Sequence, residues 1–484
     1  MKKKPNVVLV LTDDQGAWAM HCAGNEELHT PNLDRIAQNG VRFDDFFCAS
    51  PVCSPARASI LTGSIPSQHG VHDWIRGGSL DRDRLTHLQN EPELAGEDRA
   101  IPYLEGMLTY TDVLADNGYT CALSGKWHVG DSMRPQHGFS KWFTIGRGGC
   151  HYTRPDIVEK GEIHFREGYV TDMITDKALE FIDQLGEGGN PYYLSVHYTA
   201  PHSPWEEEEH PKEYIEMYRD CPFHSTPELP IHPNQIQSAP YGTGEKRKEL
   251  LRGYYAAITA MDAGVGRILN RLEERGELDD TLLIFMGDNG MSMGHHGIWG
   301  KGNGTFPLNL YDTAVKVPLL ISWPGRIPKG EVSRRMCSQY DFMPTLLDLL
   351  DIPAQLPDSL PGRSFKDAIL HPVGEDRDET AVVVFDEYGP NRMIRTREWK
   401  LVHRYPYGPD ELYHLSADPG EENNLIGEVS CQEIRAQLQD QLNRWFDRYV
   451  NPRMDAAKEG VTGYGQLRRC GYYSEGRPVY QPLD

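Results

Sequence analysis

The hydrophobic residues of the chain fall into short, nearly continuous runs that are separated by longer amphipathic stretches. Such runs are typical of strands buried on both faces of a parallel sheet. They occupy residues 6–14, 121–128, 192–202, 281–290 and 317–325. Helical periodicity lies between them, in residues 30–40, 246–276 and 341–352. The alternation predicts an α/β fold, with a large mixed, mostly parallel sheet sandwiched by helices.

The pattern changes after about residue 373. Short strand-like segments with turns follow, at residues 379–389, 392–406 and 410–419. Residues 433–450 have the periodicity of one terminal helix, whereas 451–484 are rich in Gly, Tyr, Pro and Arg without any period. We therefore predict a catalytic α/β domain at 1–372 and, at 373–484, a subdomain with a small antiparallel sheet, a terminal helix and an irregular tail.

Charge and cysteine content narrow the class of protein. The formal net charge of the 484 residues is −22, which speaks against nucleic acid or an anionic membrane as a partner. An anionic substrate would need a local basic site. The nine cysteines include no CxxC pair, so a reducing compartment fits. The apolar run at 6–12 is too short for a signal peptide or a membrane span. We therefore expect a cytoplasmic protein, and a homo-oligomer is compatible with the sequence.

The stretch PVCSPARASILTG, residues 51–63, predicts a helix that opens near Cys53. Pro55 suits the first helical turn, and Gly63 suits the end of the helix. Cys53 would then lie at the helix N-terminus, where the aligned dipoles favour an anion, with Arg57 one turn later. A buried cysteine with a surface arginine explains the same stretch, and both interpretations stay open at this point.

Two of the predicted strands end in acidic or amide residues. Asp13 and Asp14 follow the first run, and Asp288 and Asn289 follow the run that begins at residue 281. Ligands bind α/β sheets at the carboxyl ends of the strands. Three carboxylates and one amide form an oxygen-only set, which suits Ca²⁺ or Mg²⁺ better than zinc. Helix caps or turns would account for either pair alone.

Cationic and proton-transferring residues also follow strands. Lys126 and His128 lie in GKWH, His202 in APHSP, and Lys301 in a glycine-rich loop. A single histidine is more often structural, and lysines are usually solvated, so these residues become candidates only as a group.

The motifs together resemble the type I, formylglycine-dependent sulfatases of the alkaline phosphatase-like superfamily. The resemblance spans about residues 5–425, and its motifs follow in the expected order: PNVVLVLTDDQG, TPNLDRIAQNGVRF, CSPAR with ASILTG, GKWHVG, PHSP, GDNG, WGKGNG and DELYHLSADPGEENNL. It implies hydrolysis of a sulfate monoester to an alcohol and inorganic sulfate.

The resemblance also implies a role for each candidate residue. Cys53 would be oxidised to formylglycine by a maturation enzyme that reads the CxPxR pattern. Arg57 would hold this nucleophile, Lys126 and Lys301 would bind sulfate oxygens, and His128 and His202 would transfer protons. The implied ligands of a divalent cation, commonly Ca²⁺ with Mg²⁺ as the alternative, are Asp13, Asp14, Asp288, Asn289 and the modified Cys53.

Two other functions and the substrate stay open. A phosphate or phosphonate monoester hydrolase of the same superfamily is the main alternative, and a catalytically silent sulfate- or glycan-binding protein is the other. The substrate is expected to be a small sulfated aryl or steroid conjugate or a sulfated sugar. The candidate substrate contacts are His72, Trp74, Arg76, Arg147 and Trp205.

Overall fold

The computed structural model describes residues 4–85, 88, 91–94, 96–372, 383–385 and 388–482. Its strands are β1 (Asn6–Thr12), β2 (Gly40–Phe43), β3 (Phe46–Phe47), β4 (Thr120–Lys126), β5 (Phe139–Ile145), β6 (Asp156–Glu159), β7 (Glu162–Phe165), β8 (Tyr192–His197), β9 (Thr281–Gly287), β10 (Ser292–Met293), β11 (Trp299–Gly300), β12 (Leu319–Ser322), β13 (Glu331–Ser333), β14 (Cys337–Ser338), β15 (Val383–Phe385), β16 (Asn391–Arg395), β17 (Trp399–Arg404) and β18 (Glu411–His414). Its α-helices are α1 (Pro31–Gln38), α2 (Cys53–Thr62), α3 (Pro66–His69), α4 (Tyr110–Asp116), α5 (Val170–Gly186), α6 (Lys212–Met217), α7 (Gly244–Glu274), α8 (Asp312–Val315), α9 (Phe342–Leu349), α10 (Lys366–Leu370) and α11 (Gln432–Tyr449).

Within the described residues, ten strands form one mixed sheet in the order β13-β2-β12-β9-β1-β8-β4-β5-β6-β7. The five central strands from β9 to β5 are all parallel to one another. The antiparallel pairs lie towards the two edges. Each of the five apolar runs picked out in the sequence contains a strand of this sheet, and the predicted fold class is confirmed.

Alternate residues of β1 face opposite sides of the sheet and belong to two separate cores. Val7, Leu9 and Leu11 pack into the core that includes residues of α2, α4 and α9. Val8 and Val10 pack into the core that includes residues of α1, α5 and α7. Because both faces of β1 are covered, its near-continuous apolar run is explained by burial on both sides.

The C-terminal strands β15–β18 form an antiparallel sheet, as the sequence predicts. Leu438, Leu442 and Phe446 of α11 pack on this sheet. The predicted domain boundary at residue 372/373 stays a prediction, since residues 373–382 lie outside the described residues. In the described part of the chain, no helix combines the length and apolar character needed to span a membrane.

Candidate active site

Three aspartate carboxylates meet where β1 and β9 end. The two strands are parallel, with Thr12 opposite Gly287, so the residues that follow them lie side by side. The backbone amide of Asp288 donates to the Thr12 carbonyl at 3.0 Å. Asp14 has a φ of 62°, and its amide donates to Asp288 Oδ1 at 3.2 Å. One carboxylate oxygen from each of Asp13, Asp14 and Asp288 therefore lies within 4.8 Å of the others.

Asn289 adds an amide oxygen to this group. Its Nδ2 donates to Asp14 Oδ1 at 2.8 Å, whereas its Oδ1 and the Oδ1 of Asp13 are buried without a hydrogen-bond partner among the described residues. Buried acceptors without a partner are costly and call for a ligand. Carboxylate and amide oxygens are the donors that hard cations prefer. The residues present therefore fit a hard divalent cation.

Cys53 is the first residue of α2 and lies beside the carboxylates. All ten residues of α2 are buried, and the helix ends at Gly63, whose φ is 65°. The Cys53 sulfur groups with ligand atoms of Asp13 and His202 within 4.8 Å, and it lies 2.9 Å from Lys301 Nζ. Burial, reinforced by Asp13, raises the pKa of the thiol to about 12. Because a thiol is weakly nucleophilic until it is ionised, an unmodified Cys53 is poorly suited to attack.

Arg57 connects α2 to the carboxylates. Its Nε donates to Asp288 Oδ2 at 2.9 Å, Nη2 lies 2.8 Å from the same oxygen, and Nη1 donates to the Lys126 carbonyl at 3.0 Å. Burial, together with repulsion from Asp13, raises the pKa of Asp288 to about 7. Arg57 opposes that shift, so its guanidinium both neutralises Asp288 and anchors the helix that carries Cys53.

Two lysines neutralise the other carboxylates. Lys126 Nζ donates to Asp13 Oδ2, and Lys301 Nζ donates to Asp14 Oδ1 at 2.5 Å. Burial alone would raise the pKa of Asp13, but Lys126 and the other nearby cations hold it well below its usual range. With Arg57 included, three cations balance three carboxylates. A bound dication would therefore give the site an excess of positive charge, which suits an anionic ester.

Two histidines face this cluster. In each, one ring nitrogen donates to a backbone carbonyl, which leaves the other nitrogen free to exchange a proton. His128 has a φ of 53°, and its Nε2 is 3.0 Å from the Ile75 carbonyl. The carbonyl can only accept, so Nε2 carries the proton and the buried Nδ1 keeps its lone pair. His202 Nδ1 likewise donates to the Ser203 carbonyl at 2.7 Å, and its Nε2 lies 3.7 Å from Asp14 Oδ2. Burial lowers the pKa of both rings.

Sequence reasoning missed two residues that support the site. His197, the last residue of β8, donates from Nδ1 to the Lys126 carbonyl at 2.9 Å. Gln339 donates from Nε2 to the carbonyls of Gly287 and Asp288 at 3.0 and 2.7 Å. His197 could have been noticed as a polar residue that closes an apolar strand. Gln339 carries no comparable signal, because it reaches β9 from a distant segment.

Three of the five candidate substrate contacts have side chains that are buried or held by an ion pair. Trp205 is 0% exposed, its Nε1 donates to the Pro201 carbonyl at 2.8 Å, and its ring packs edge-on against a core tyrosine. His72 is also 0% exposed. Arg147 is half-buried, with its guanidinium bonded to both oxygens of Asp156 and to the Glu93 carbonyl. All three side chains have partners or packing within the protein, and their contact with a substrate stays a prediction.

Trp74 and Arg76 stay as candidates because their side chains reach the surface. Trp74 is half-buried and Arg76 is exposed, and the guanidinium lies 5.8 Å from the indole centroid. They flank Ile75, whose carbonyl bonds His128. The pair therefore lies next to a residue of the candidate site.

Comparisons with known proteins agree with this geometry. The family model "Sulfatase" matches residues 5–352, and the model "N-sulphoglucosamine sulphohydrolase, C-terminal" matches residues 294–448. An N-acetylglucosamine-6-O-sulfatase of Bacteroides thetaiotaomicron is 28% identical, over 96% of this chain and 90% of its own. A choline-sulfatase of Rhizobium meliloti is 29% identical, over 97% and 93%. A solved structure in complex with its substrate D-glucosamine-2-N,6-O-disulfate has a TM-score of 0.75 and 25% identity, over 94% of this chain and all of that one.

Proposed function

Because this chain belongs to the sulfatase family and is a sulfuric ester hydrolase, we propose that it removes sulfate from a sulfated sugar, using a formylglycine derived from Cys53 and a bound divalent cation. The observation that carries the proposal is the convergence of three carboxylates and three cations on Cys53. The overall reaction consumes water and yields an alcohol and inorganic sulfate. A sugar is favoured because relatives along nearly the whole chain act on sulfated sugars.

The carboxylates of Asp13, Asp14 and Asp288 and the amide oxygen of Asn289 would hold the cation. When bound, it would supply Lewis-acid stabilisation of negative charge at the reacting oxygens. Ca²⁺ is our choice over Mg²⁺, because Ca²⁺ accepts larger, less regular sets of oxygen ligands.

Conversion of Cys53 to formylglycine, whose hydrate carries two hydroxyls on one carbon, would replace a thiol that burial keeps protonated with an oxygen nucleophile. All ten residues of α2 are buried in the folded chain. We therefore infer that a formylglycine-generating enzyme would act on the CSPAR stretch before the chain folds.

The remaining residues bind the ester and move protons. Lys126 and Lys301 would neutralise charge on the sulfate oxygens as the S–O bond breaks. His128 Nδ1 has a free lone pair and would accept the proton of the second formylglycine hydroxyl when sulfate is released. His202 would act in its imidazolium form, which the neighbouring Asp14 favours, and would deliver the Nε2 proton to the leaving alcohol. Its side chain is 25% exposed, so it lies on the open side of the site.

The test combines mass spectrometry with a substrate panel. The peptide that contains Cys53 is first measured for the mass of formylglycine. Sulfate release is then followed with N-acetylglucosamine 6-sulfate, choline sulfate and 4-nitrophenyl sulfate, and phosphate release with 4-nitrophenyl phosphate. Preference for the sugar sulfate supports the proposal. Preference for the phosphate would favour the phosphomonoesterase alternative, and full activity with an ordinary cysteine would overturn the nucleophile assignment.

A further inference from the structure

Residues 463–466, which we call the strap, lie against the 72–76 segment. Gln466 of the strap is 0% exposed, and its side chain uses its full hydrogen-bonding capacity. Oε1 accepts from the amides of His72 and Asp73 at 2.8 and 3.3 Å. Nε2 donates to the carbonyls of Gly70 and Arg468 at 3.0 and 2.9 Å. This glutamine is therefore built into the contact between the strap and the segment.

The backbone of Gln466 pairs with the 72–76 segment as a short parallel bridge. Its amide donates to the Trp74 carbonyl at 2.7 Å, and its carbonyl accepts from the Arg76 amide at 2.9 Å. Because backbone groups alternate along an extended segment, those of Ile75 point to the opposite edge. There the Ile75 amide donates to Ser54 Oγ at 2.9 Å and its carbonyl accepts from His128 at 3.0 Å. The segment thus lies between the strap and the candidate site.

Asp73, in the 72–76 segment, binds the backbone of the strap with its carboxylate. Its Oδ2 accepts from the amides of Gly463 and Gly465 at 2.9 and 3.1 Å, and its Oδ1 accepts from the Trp74 amide at 2.8 Å. Gly465 has a φ of 112°, and a Cβ there would lie 2.7 Å from the Arg76 Cβ. Both the conformation and the close approach require glycine.

The strap also touches the other side of the site. Asn303, two residues after Lys301, donates from Nδ2 to the Gly463 carbonyl at 3.3 Å. Val461, just before the strap, packs in one cluster with Val52, which precedes Cys53. The strap and Val461 together therefore contact segments next to three of the candidate catalytic residues, yet both lie beyond residue 448, the last residue that the family models match.

We propose that Gln466 is a positioning residue for sulfate-ester hydrolysis. It holds the 72–76 segment so that the Ile75 carbonyl fixes the His128 ring with Nδ1 free. This role rests on the proposed function of His128. Misplacement of a catalytic group by about 1 Å can cost about 10²-fold in rate, so loss of Gln466 is expected to lower kcat by about 10- to 100-fold and to leave KM within about threefold.

A double-mutant cycle with His128 provides the test, because it separates positioning from general damage. Activity on N-acetylglucosamine 6-sulfate is measured for wild type, Gln466→Ala, His128→Ala and the double variant. Gln439→Ala, at a half-buried glutamine of α11, is the matched control and should keep wild-type kcat. If Gln466 acts through His128, Gln466→Ala changes kcat less than about threefold in the His128→Ala background. Two losses that multiply in full would overturn the proposal.

A second measurement does not depend on turnover. Amide hydrogen exchange should rise in Gln466→Ala for peptides that cover residues 72–77 and 127–130, and stay unchanged in the β8 peptide and in the Gln439→Ala control. Unchanged exchange at 127–130 would contradict the proposal. If Gln466→Ala does not fold, Gln466→Glu replaces it, because a carboxylate keeps the acceptor for the His72 and Asp73 amides. A wild-type enzyme that cleaves no sulfate ester would refute the proposed function. The exchange experiment would still show whether Gln466 holds residues 72–77 and 127–130 in place.

Discussion

The charges around Cys53 can be compared with a second buried cluster, which lies where the four-stranded sheet meets α8. In this C-terminal charge cluster, Lys400 donates to Asp312 at 2.9 Å and to Glu421 at 2.5 Å. Arg395 donates from Nε and Nη2 to the two oxygens of Asp312 at 3.2 and 2.9 Å. Within the described residues, no side-chain nitrogen or oxygen of these four residues is both buried and unpartnered.

The pKa shifts do not distinguish this cluster from the catalytic cluster, by which we mean Cys53 with the surrounding carboxylates, Asn289 and the three cations. In each cluster burial raises one carboxyl pKa to about 7, that of Glu421 or Asp288. In each, neighbouring cations overcome burial and lower the pKa of another carboxyl, Asp312 or Asp13. Perturbed titration is therefore not by itself a sign of function in this protein.

The two clusters differ in whether buried polar atoms are left without a hydrogen-bond partner. The catalytic cluster keeps two buried acceptors, Asp13 Oδ1 and Asn289 Oδ1, without a donor, and it has an opening at His202. The C-terminal charge cluster is complete with its own residues. We infer that the first is organised to receive a ligand and the second to join two parts of the chain. Three predictions test that contrast, and a fourth tests an exposed residue outside both clusters.

The largest effect is expected for Cys53→Ala. Removing a nucleophile costs up to about 10⁶-fold in kcat in other hydrolases, and we expect a loss of at least about 10⁴-fold in sulfate release. Stability should change little, because the side chain makes one close polar contact, with Lys301. Activity and thermal unfolding are measured together. Cys121→Ala, at a buried cysteine of β4, serves as the control and should keep kcat. Retained activity in Cys53→Ala would contradict the inference that only the first cluster is organised for catalysis.

Removal of the divalent cation is expected to have the next largest effect. Dialysis against a chelator should abolish measurable turnover, and added Ca²⁺ should restore it. A ligand at 100 times its Kd stabilises the folded state by about 2.7 kcal/mol, so Tm should rise when the cation returns. Asn289→Ala should reduce this rise, whereas Asp312→Asn should leave it unchanged. A Tm shift that depends equally on both residues would show that the clusters do not differ as inferred.

Lys400→Met should damage stability rather than chemistry. Removing one partner from a buried ion cluster costs about 3–5 kcal/mol, and Lys400 is 0% exposed with two carboxylate partners. Denaturant unfolding measures the loss, and kcat per folded molecule should stay within about twofold of wild type. Lys126→Met is the matched variant. With the cation present it should lose kcat but less stability, because the dication can still neutralise Asp13.

The sequence predicts the centre of the catalytic cluster because that centre depends on strand ends. Asp13 and Asp288 come together as soon as β1 and β9 are adjacent and parallel, and periodicity is enough to identify both strands. The parts that sequence reasoning missed are held by contacts between distant segments. Gln339 reaches β9 across about fifty residues, and Gln466 reaches the 72–76 segment across nearly four hundred.

Side-chain burial is the other feature that local patterns do not reveal. Trp205 and Trp74 have the same side chain, and each lies near a candidate histidine. Trp205 is three residues after His202, and Trp74 precedes Ile75, whose carbonyl bonds His128. Trp205 packs into the core against α7. Trp74 reaches the surface, with the strap and the cluster that includes Val52 against it. The difference depends on tertiary packing, which local sequence patterns do not encode.

The smallest effect is expected for Arg76→Ala, which tests a charge that belongs to neither cluster. Arg76 is exposed, with Nη1 donating to the Tyr464 carbonyl at 3.3 Å, so it can reach a substrate without being needed for folding. Exposed ionic contacts contribute about 0.2–1 kcal/mol, and we expect KM for N-acetylglucosamine 6-sulfate to rise by about two- to fivefold with kcat unchanged. Arg477→Ala, at an exposed arginine in the C-terminal tail, is the control and should change neither kcat nor KM. A fall in kcat without a change in KM would instead place Arg76 with the residues that position His128, because its backbone amide and its Nη1 both donate to carbonyls of the strap.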